Sequence, residues 1–220
     1  MKLDYPHIIT EGNTTYRIGE LQGNQVIYDF EKILAYLEVK GKLLFGKSFK
    51  IYETDRGVLF LLCNYIIRDY DQCKKAGIDP QKGLLLTGPV GCGKTSLMRL
   101  LKYLVPHQRP YAVIPSRNIV FGFNHVGFKL IEDYGNGHYY CFDDLGVEPI
   151  GRHYGKDCNV IGEILLSRYE LFVNHHIRTH CTTNLNAKEL EERYGKRVRS
   201  RMRQLFNLVA FDAKSPDKRT

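Results

Sequence analysis

The sequence predicts an α/β fold, a parallel sheet covered by helices on both faces. Three observations carry this. From residue 83 onward, short apolar runs suited to strands alternate with helical stretches. The first run leads through a glycine-rich loop into a helix, and the third ends in two adjacent aspartates, so polar groups gather where open α/β sheets bind ligands. The composition also supports a core: of 220 residues 43% are apolar and 25% charged, with 15 Tyr and 11 Phe, which excludes a disordered chain, a collagen-like repeat and a mucin-like stalk. The length suits one domain with an appendage, so residues 1–55 are expected as an N-terminal segment of unknown role, partner binding being one reading, and 56–220 as the main domain.

The elements follow in order. A helix is predicted from Phe30 to about Val39, capped by Asp29 and ended by Gly41, and a long apolar helix from Arg56 to Ala76 with Lys74, Lys75 and Gly77 closing it. Gly83–Thr87 is a continuous apolar run, as in a strand buried on both faces. A helix over Ser96–Leu104 leads to a second strand, Tyr111–Ile114. Asn118–Tyr134 is helical, broken by Gly122 and Gly127, and residues 138–142 form the third strand. The helix Asn159–Phe172 has an apolar stripe of Ile161, Ile164, Leu165, Leu171 and Phe172. Strand four covers Ile177–Thr183, another helix Ala187–Leu205, and strand five Leu208–Phe211.

No apolar stretch approaches the roughly 20 residues that cross a bilayer. The start, Met1-Lys2-Leu3-Asp4-Tyr5-Pro6, has no apolar leader core, so a cytoplasmic location without membrane contact is expected. Six cysteines without a C-x-x-C pair read as reduced structural thiols, and the histidines lack ligand partners at metal spacing. The net charge is +8, and residues 185–220 hold ten Lys/Arg against five Asp/Glu. Basic character concentrated at one end favours a polyanionic partner.

The sharpest signal is Gly88-Pro89-Val90-Gly91-Cys92-Gly93-Lys94-Thr95, which matches G-x-x-x-x-G-K-[ST] between a strand and a helix. A glycine-rich turn lets backbone N–H groups face a triphosphate, with the positive end of the next helix behind them. The predicted nucleotide cradle is Gly88–Thr95 plus Ser96. Lys94 would reach the β- and γ-phosphates and Thr95 would hold Mg²⁺; Cys92 fills a free position. Asp143 and Asp144 end the third strand. Alternation along a strand points them opposite ways, Asp143 to hold Mg²⁺ and Asp144 to deprotonate the attacking water. Strand four is expected between strands one and three, which would bring Asn184 to the γ-phosphate and its water. On the last long helix, Leu190, Tyr194, Val198 and Met202 make a buried stripe, leaving Arg193, Lys196, Arg197, Arg199, Arg201 and Arg203 on its flanks. Such a row suits a neighbouring subunit's γ-phosphate or nucleic-acid phosphates.

Together the strings GLLLTGPVGCGKTSL, YCFDDLG, LLSRYELF, TTNLNAKEL, RYGKRVRSRM and SPDKR resemble the AAA+ ATPases, and more narrowly the bacterial DnaC/IstB group of helicase loaders and transposition ATPases. The resemblance spans residues 80–219. It implies a P-loop NTPase sheet of order 5-1-4-3-2 with little or no C-terminal lid, and ATP with Mg²⁺ as ligands. Asn184 would be the sensor 1 residue, Arg201 or else Arg197 the finger acting between self-associated subunits, and Arg219 a contact to the γ-phosphate in cis. Arg168 matches a recurrent family arginine without a derivable duty. Where the family often has a water-activating Glu, this chain has Asp144, so slow, switch-like turnover is expected. The implied function is an ATPase assembling on single-stranded or duplex DNA and remodelling a replicative helicase. A transposase partner, a small-molecule kinase and a nucleotide-gated DNA-binding module are the alternatives.

Overall fold

The computed structural model describes residues 5–219. Residues 1–4, on which the leader-free reading of the N terminus partly rests, and Thr220 lie outside the described residues. The fold separates into two compact units: one takes the residues through Ile78 together with Leu97–Pro110, the other Asp79–Ser96 and the chain from Tyr111 onward.

The first unit begins with two hairpins that the sequence did not announce. One pairs β1 (Ile8–Glu11) with β2 (Thr14–Arg17), the other β3 (Gly19–Gln22) with β4 (Gln25–Tyr28). Helix α1 (Phe30–Phe45) starts as predicted, with the Asp29 carboxylate accepting from the N–H groups of Glu31 and Lys32. It runs through Gly41 to Gly46, because Gly41 is there for packing: a Cβ would lie 2.1 Å from the Phe49 ring. The predicted helix 56–76 is two helices, α2 (Arg56–Ile67) and α3 (Tyr70–Lys75). Arg68 adopts left-handed φ 62 between them, and Asp69 caps the second through Gln72 N. Phe30 meets Phe60 edge-on, and Arg56 pairs with Glu31, tying α2 to α1. Leu34, Val39, Ile51 and Tyr52 line a groove of about 410 Å³ rimmed by Glu31 and Glu38.

The second unit holds a five-stranded parallel sheet formed by β5 (Gly83–Thr87), β6 (Ala112–Pro115), β7 (Tyr140–Leu145), β10 (Thr179–Thr183) and β11 (Phe206–Ala210). Its order is β11-β5-β10-β7-β6, the expected 5-1-4-3-2 of an AAA+/P-loop topology. Helix α4 (Lys94–Leu101) follows the glycine-rich loop. Helix α5 (Ser116–Val126) runs through Gly122, and Gly127 and Phe128 separate it from α6 (Lys129–Tyr134). A hairpin of β8 (Gly151–His153) and β9 (Lys156–Cys158), also unforeseen, precedes α7 (Val160–His175), which Asn159 caps. Helix α8 spans Ala187–Leu205 as predicted and opens with a capping box of Asn186 and Glu189. It breaks at Gly195, whose φ 84 and ψ 161 are not helical, so Arg193 stays in the first segment while Lys196, Arg197, Arg199, Arg201 and Arg203 belong to a second. Phe142, Leu145, Ile161, Ile164, Leu165, Tyr194 and Met202 share one buried cluster that fastens α7 and α8 to the sheet.

Candidate nucleotide site

The site forms at the C-terminal ends of the sheet strands. Leu84, Leu85 and Leu86 are buried and fix β5, so the loop that follows starts from a rigid strand. Gly91 and Gly93 turn the loop with φ 80 and 101, backbone that L side chains rarely adopt. Lys94 is 4% exposed and folds back over the loop. Its Nζ donates to Gly88 O and Pro89 O at 2.8 Å each, and to Asn184 Oδ1 at 2.6 Å. Cys92 lies inside with Sγ 3.7 Å from that ammonium, while Val90 is exposed and Ser96 half-buried.

Thr95, Asp143 and Thr182 meet across three elements. Thr95 Oγ1 donates to Asp143 Oδ1 at 2.9 Å, and Thr182 Oγ1 donates to the same oxygen at 2.7 Å. Thr182 Oγ1 in turn accepts from Asp144 N at 2.9 Å. The straight alternation expected of Asp143 and Asp144 is corrected by a bulge: Phe142 pairs with Cys181 but Leu145 with Thr183, so β7 carries an extra residue, and Asp144 sits at φ 56. The Asp144 carboxyl stays within electrostatic reach of Asp143, Lys94 and Arg219. Burial, and next the Asp143 carboxylate, raise the Asp144 carboxyl above its ordinary range, against the opposing pull of Lys94 and Arg219.

The chain end reaches the loop through residues that the sequence did not single out. Lys218 N donates to Gly91 O at 3.1 Å and Lys218 Nζ to Cys92 O at 2.5 Å, while a Cβ on Gly91 would lie 2.1 Å from the Asp217 carboxyl. Arg219 is held by Asp217 at 3.0 and 2.8 Å, and that pairing drops the Asp217 carboxyl to about 2. The signal for this contact was the SPDKR string itself, whose lysine went unread.

Other candidates are dispersed. Arg201 lies over the Tyr169 ring at 4.3 Å and donates to its hydroxyl at 3.2 Å; Arg197 and Arg203 are exposed. Arg193, expected on the flank, turns inward to the buried Glu148. Arg168 is fully buried at the opposite end of the sheet, donating to Thr179 Oγ1 at 2.7 Å and to Asn136 O, with Tyr140 under its guanidinium. Burial pushes it down to about 10. It braces the starts of β7 and β10. Among the described residues the cysteines are all free and no cluster of three or more His, Cys, Asp or Glu could hold a metal.

The donor set nevertheless fits Mg²⁺, which takes few protein ligands and keeps its waters. Thr95 Oγ1 and Asp143 Oδ1 are two hard oxygens already in contact beside the loop. The positive-φ glycines and the lysine fit a polyphosphate.

This arrangement has structural relatives. The chain shares the fold of the DnaC helicase loader. That structure covers 74% of this chain and 92% of its own, at TM-score 0.54 and 18% identity. A candidate primosome component from Streptococcus pyogenes serotype M3 aligns over 80% of this chain and 90% of its own, at the same TM-score and identity. By sequence, no family model and no curated protein matches the chain. At this identity the likeness shows the fold. Among the described residues no helix is long and apolar enough to cross a membrane.

Proposed function

We propose that the protein is a Mg²⁺-dependent ATPase of the AAA+ type that assembles on DNA and remodels a protein partner in replication, in the manner of a helicase loader. The observation that carries the proposal is the convergence of Lys94, Thr95, Asp143, Asp144 and Asn184 at the strand ends beside a glycine-rich loop. The loader fold of the relatives supports the replication setting.

In this reading the loop N–H groups of Gly88–Ser96 receive the phosphates, and Lys94 exchanges its carbonyl partners for phosphate oxygens. Thr95 and Asp143 would hold Mg²⁺, which would supply neutralisation of the charge developing on the phosphates. Asp144 takes the proton of the attacking water, a role suited to a carboxylate whose proton affinity is raised. Asn184, released from Lys94, orients that water through its amide. Arg219 is the cis cation. Arg197, exposed, is better available than Arg201 as the finger between subunits, since Tyr169 already holds Arg201. Residues 1–55 bind the partner, and the groove beside α1 supports this.

Steady-state phosphate release with and without DNA tests the enzyme. No turnover under either condition would remove it. Pull-down of a replicative helicase supports the loader role, and capture of a transposase instead would replace it.

A further inference from the structure

Glu148 is a buried carboxylate that none of these roles uses. Its side chain is 1% exposed, and donors surround it. Oε2 accepts from Gly146 N at 2.8 Å and from Ser116 Oγ at 3.0 Å; Oε1 accepts from Tyr194 OH at 2.6 Å and faces Arg193 Nη2 at 3.6 Å. Arg193 also donates to the Glu148 carbonyl, and Asn159 Nδ2 donates to Arg193 O at 3.0 Å.

The donors come from three places that matter. Gly146 lies two residues past Asp144, in the turn that the bulge begins. Ser116, at the start of α5, shares its one hydroxyl proton between Glu148 Oε2 and Asp144 O, the latter at 2.8 Å. Arg193 and Tyr194 are the last residues before the Gly195 break, and the basic row starts directly after it. One carboxylate therefore joins the acid turn to the hinge of the arginine-bearing segment.

A carboxylate this deep has only these protein donors in place of water, so losing one leaves a buried acceptor unpaired. The Arg193 guanidinium is itself under-bonded, its Nε buried without a partner among the described residues, so its hold rests on Glu148. We infer that Glu148 is a positioning residue that locks the Asp144 turn to the break in α8, so that displacement of the arginine row is transmitted to Asp144. The catalytic consequence rests on the proposed hydrolytic role of Asp144; the lock itself does not.

Full-length Glu148→Gln and Tyr194→Phe proteins test this by amide hydrogen exchange, ATP affinity and turnover. In Glu148→Gln, exchange at Gly146 and at Val198–Met202 should accelerate together, about tenfold or more. The Kd for ATP should stay within about twofold, and kcat should fall at least about tenfold. Tyr194→Phe should show the same paired pattern at smaller amplitude, and it decides the matter if Glu148→Gln does not fold. Faster exchange on one side alone, or on neither, would overturn the lock, and paired exchange with unchanged kcat would overturn its transmission to Asp144. Absence of turnover in the wild-type chain would sink the hydrolytic reading instead, and the paired exchange would still uphold or overturn the lock.

Discussion

Replacing Asp144 by Asn separates a catalytic carboxylate from a structural one, because the two roles predict opposite signs for stability. The fold raises the Asp144 carboxyl through burial and the neighbouring Asp143. A carboxyl whose folded pKa is raised lends stability below its unfolded pKa and loses it as pH rises through the folded value. At neutral pH the ionised side chain therefore weakens the fold, and Asn removes that penalty while tolerating φ 56. Asp144→Asn should melt at or above the wild-type temperature near pH 7.5, with the gain vanishing toward pH 4. Alanine at this left-handed position should instead cost about 1 kcal/mol, or roughly 2–4 °C. Turnover should fall by about 10²–10⁴-fold, the usual contribution of a positioned base, which is roughly 3–5 kcal/mol of barrier. Wild-type kcat should rise with pH through the raised carboxyl and drop away on acidification. Calorimetric melting and phosphate release on the same preparations give both readouts. Turnover within about threefold of wild type, or an Asn variant less stable than the Ala variant, would refute the reasoning.

Three further outcomes follow from the same geometry. Arg168→Ala removes a buried cation bonded to Thr179 and Asn136 and should cost roughly 3–5 kcal/mol, lowering the melting temperature by about 6–20 °C, with ATP affinity unchanged because the site is at the other end of the sheet. A change in affinity measured by titration would contradict that placement. His180 is buried and accepts from Leu84 N, and burial pushes it down to about 3 from 6.5, so the folded chain holds it neutral. Stability should fall with pH from about 6.5 toward 3, by a few kcal/mol in all, and the part of the slope above about pH 5, where carboxylates do not titrate, should vanish in His180→Asn when followed by denaturant unfolding. Mixing Lys94→Ala with Arg197→Ala protein should restore turnover that each lacks alone; persistent inactivity of the mixture would argue against a finger acting between subunits.

The second unit was the more legible half because its signals are local and dense. The run Gly83–Thr87 with its glycine loop, and Asn186 with Glu189 ahead of α8, specify strand, cradle and helix start within a few residues. The strand order needed the whole constellation, since periodicity says nothing about which strands are neighbours. The misses have physical causes. Gly41 and Gly122 looked like helix stops but serve close packing against Phe49 and Leu130. Arg68 ends α2 in a left-handed conformation that no Gly or Pro announces, although Asp69 was a readable cap. The break in α8 was marked by Gly195 and hidden by an unbroken apolar stripe from Leu190 to Met202. The N-terminal hairpins are four-residue strands with mostly exposed side chains, so they carry little alternation to read. The bulge at Asp144 and the reach of Glu148 to Tyr194 depend on distant residues and had no sequence signature, whereas the reach of Lys218 to the loop lay in the SPDKR string with its lysine unread.

The most direct test is titration of the purified chain with Mg²⁺ and ATP in a calorimeter, beside its Lys94→Ala variant. Saturable heat at one site per chain, lost in the variant while its melting temperature stays near wild type, is the predicted result. No heat at millimolar ATP, or equal heat from the variant, would contradict a triphosphate seated on the Gly88–Thr95 loop.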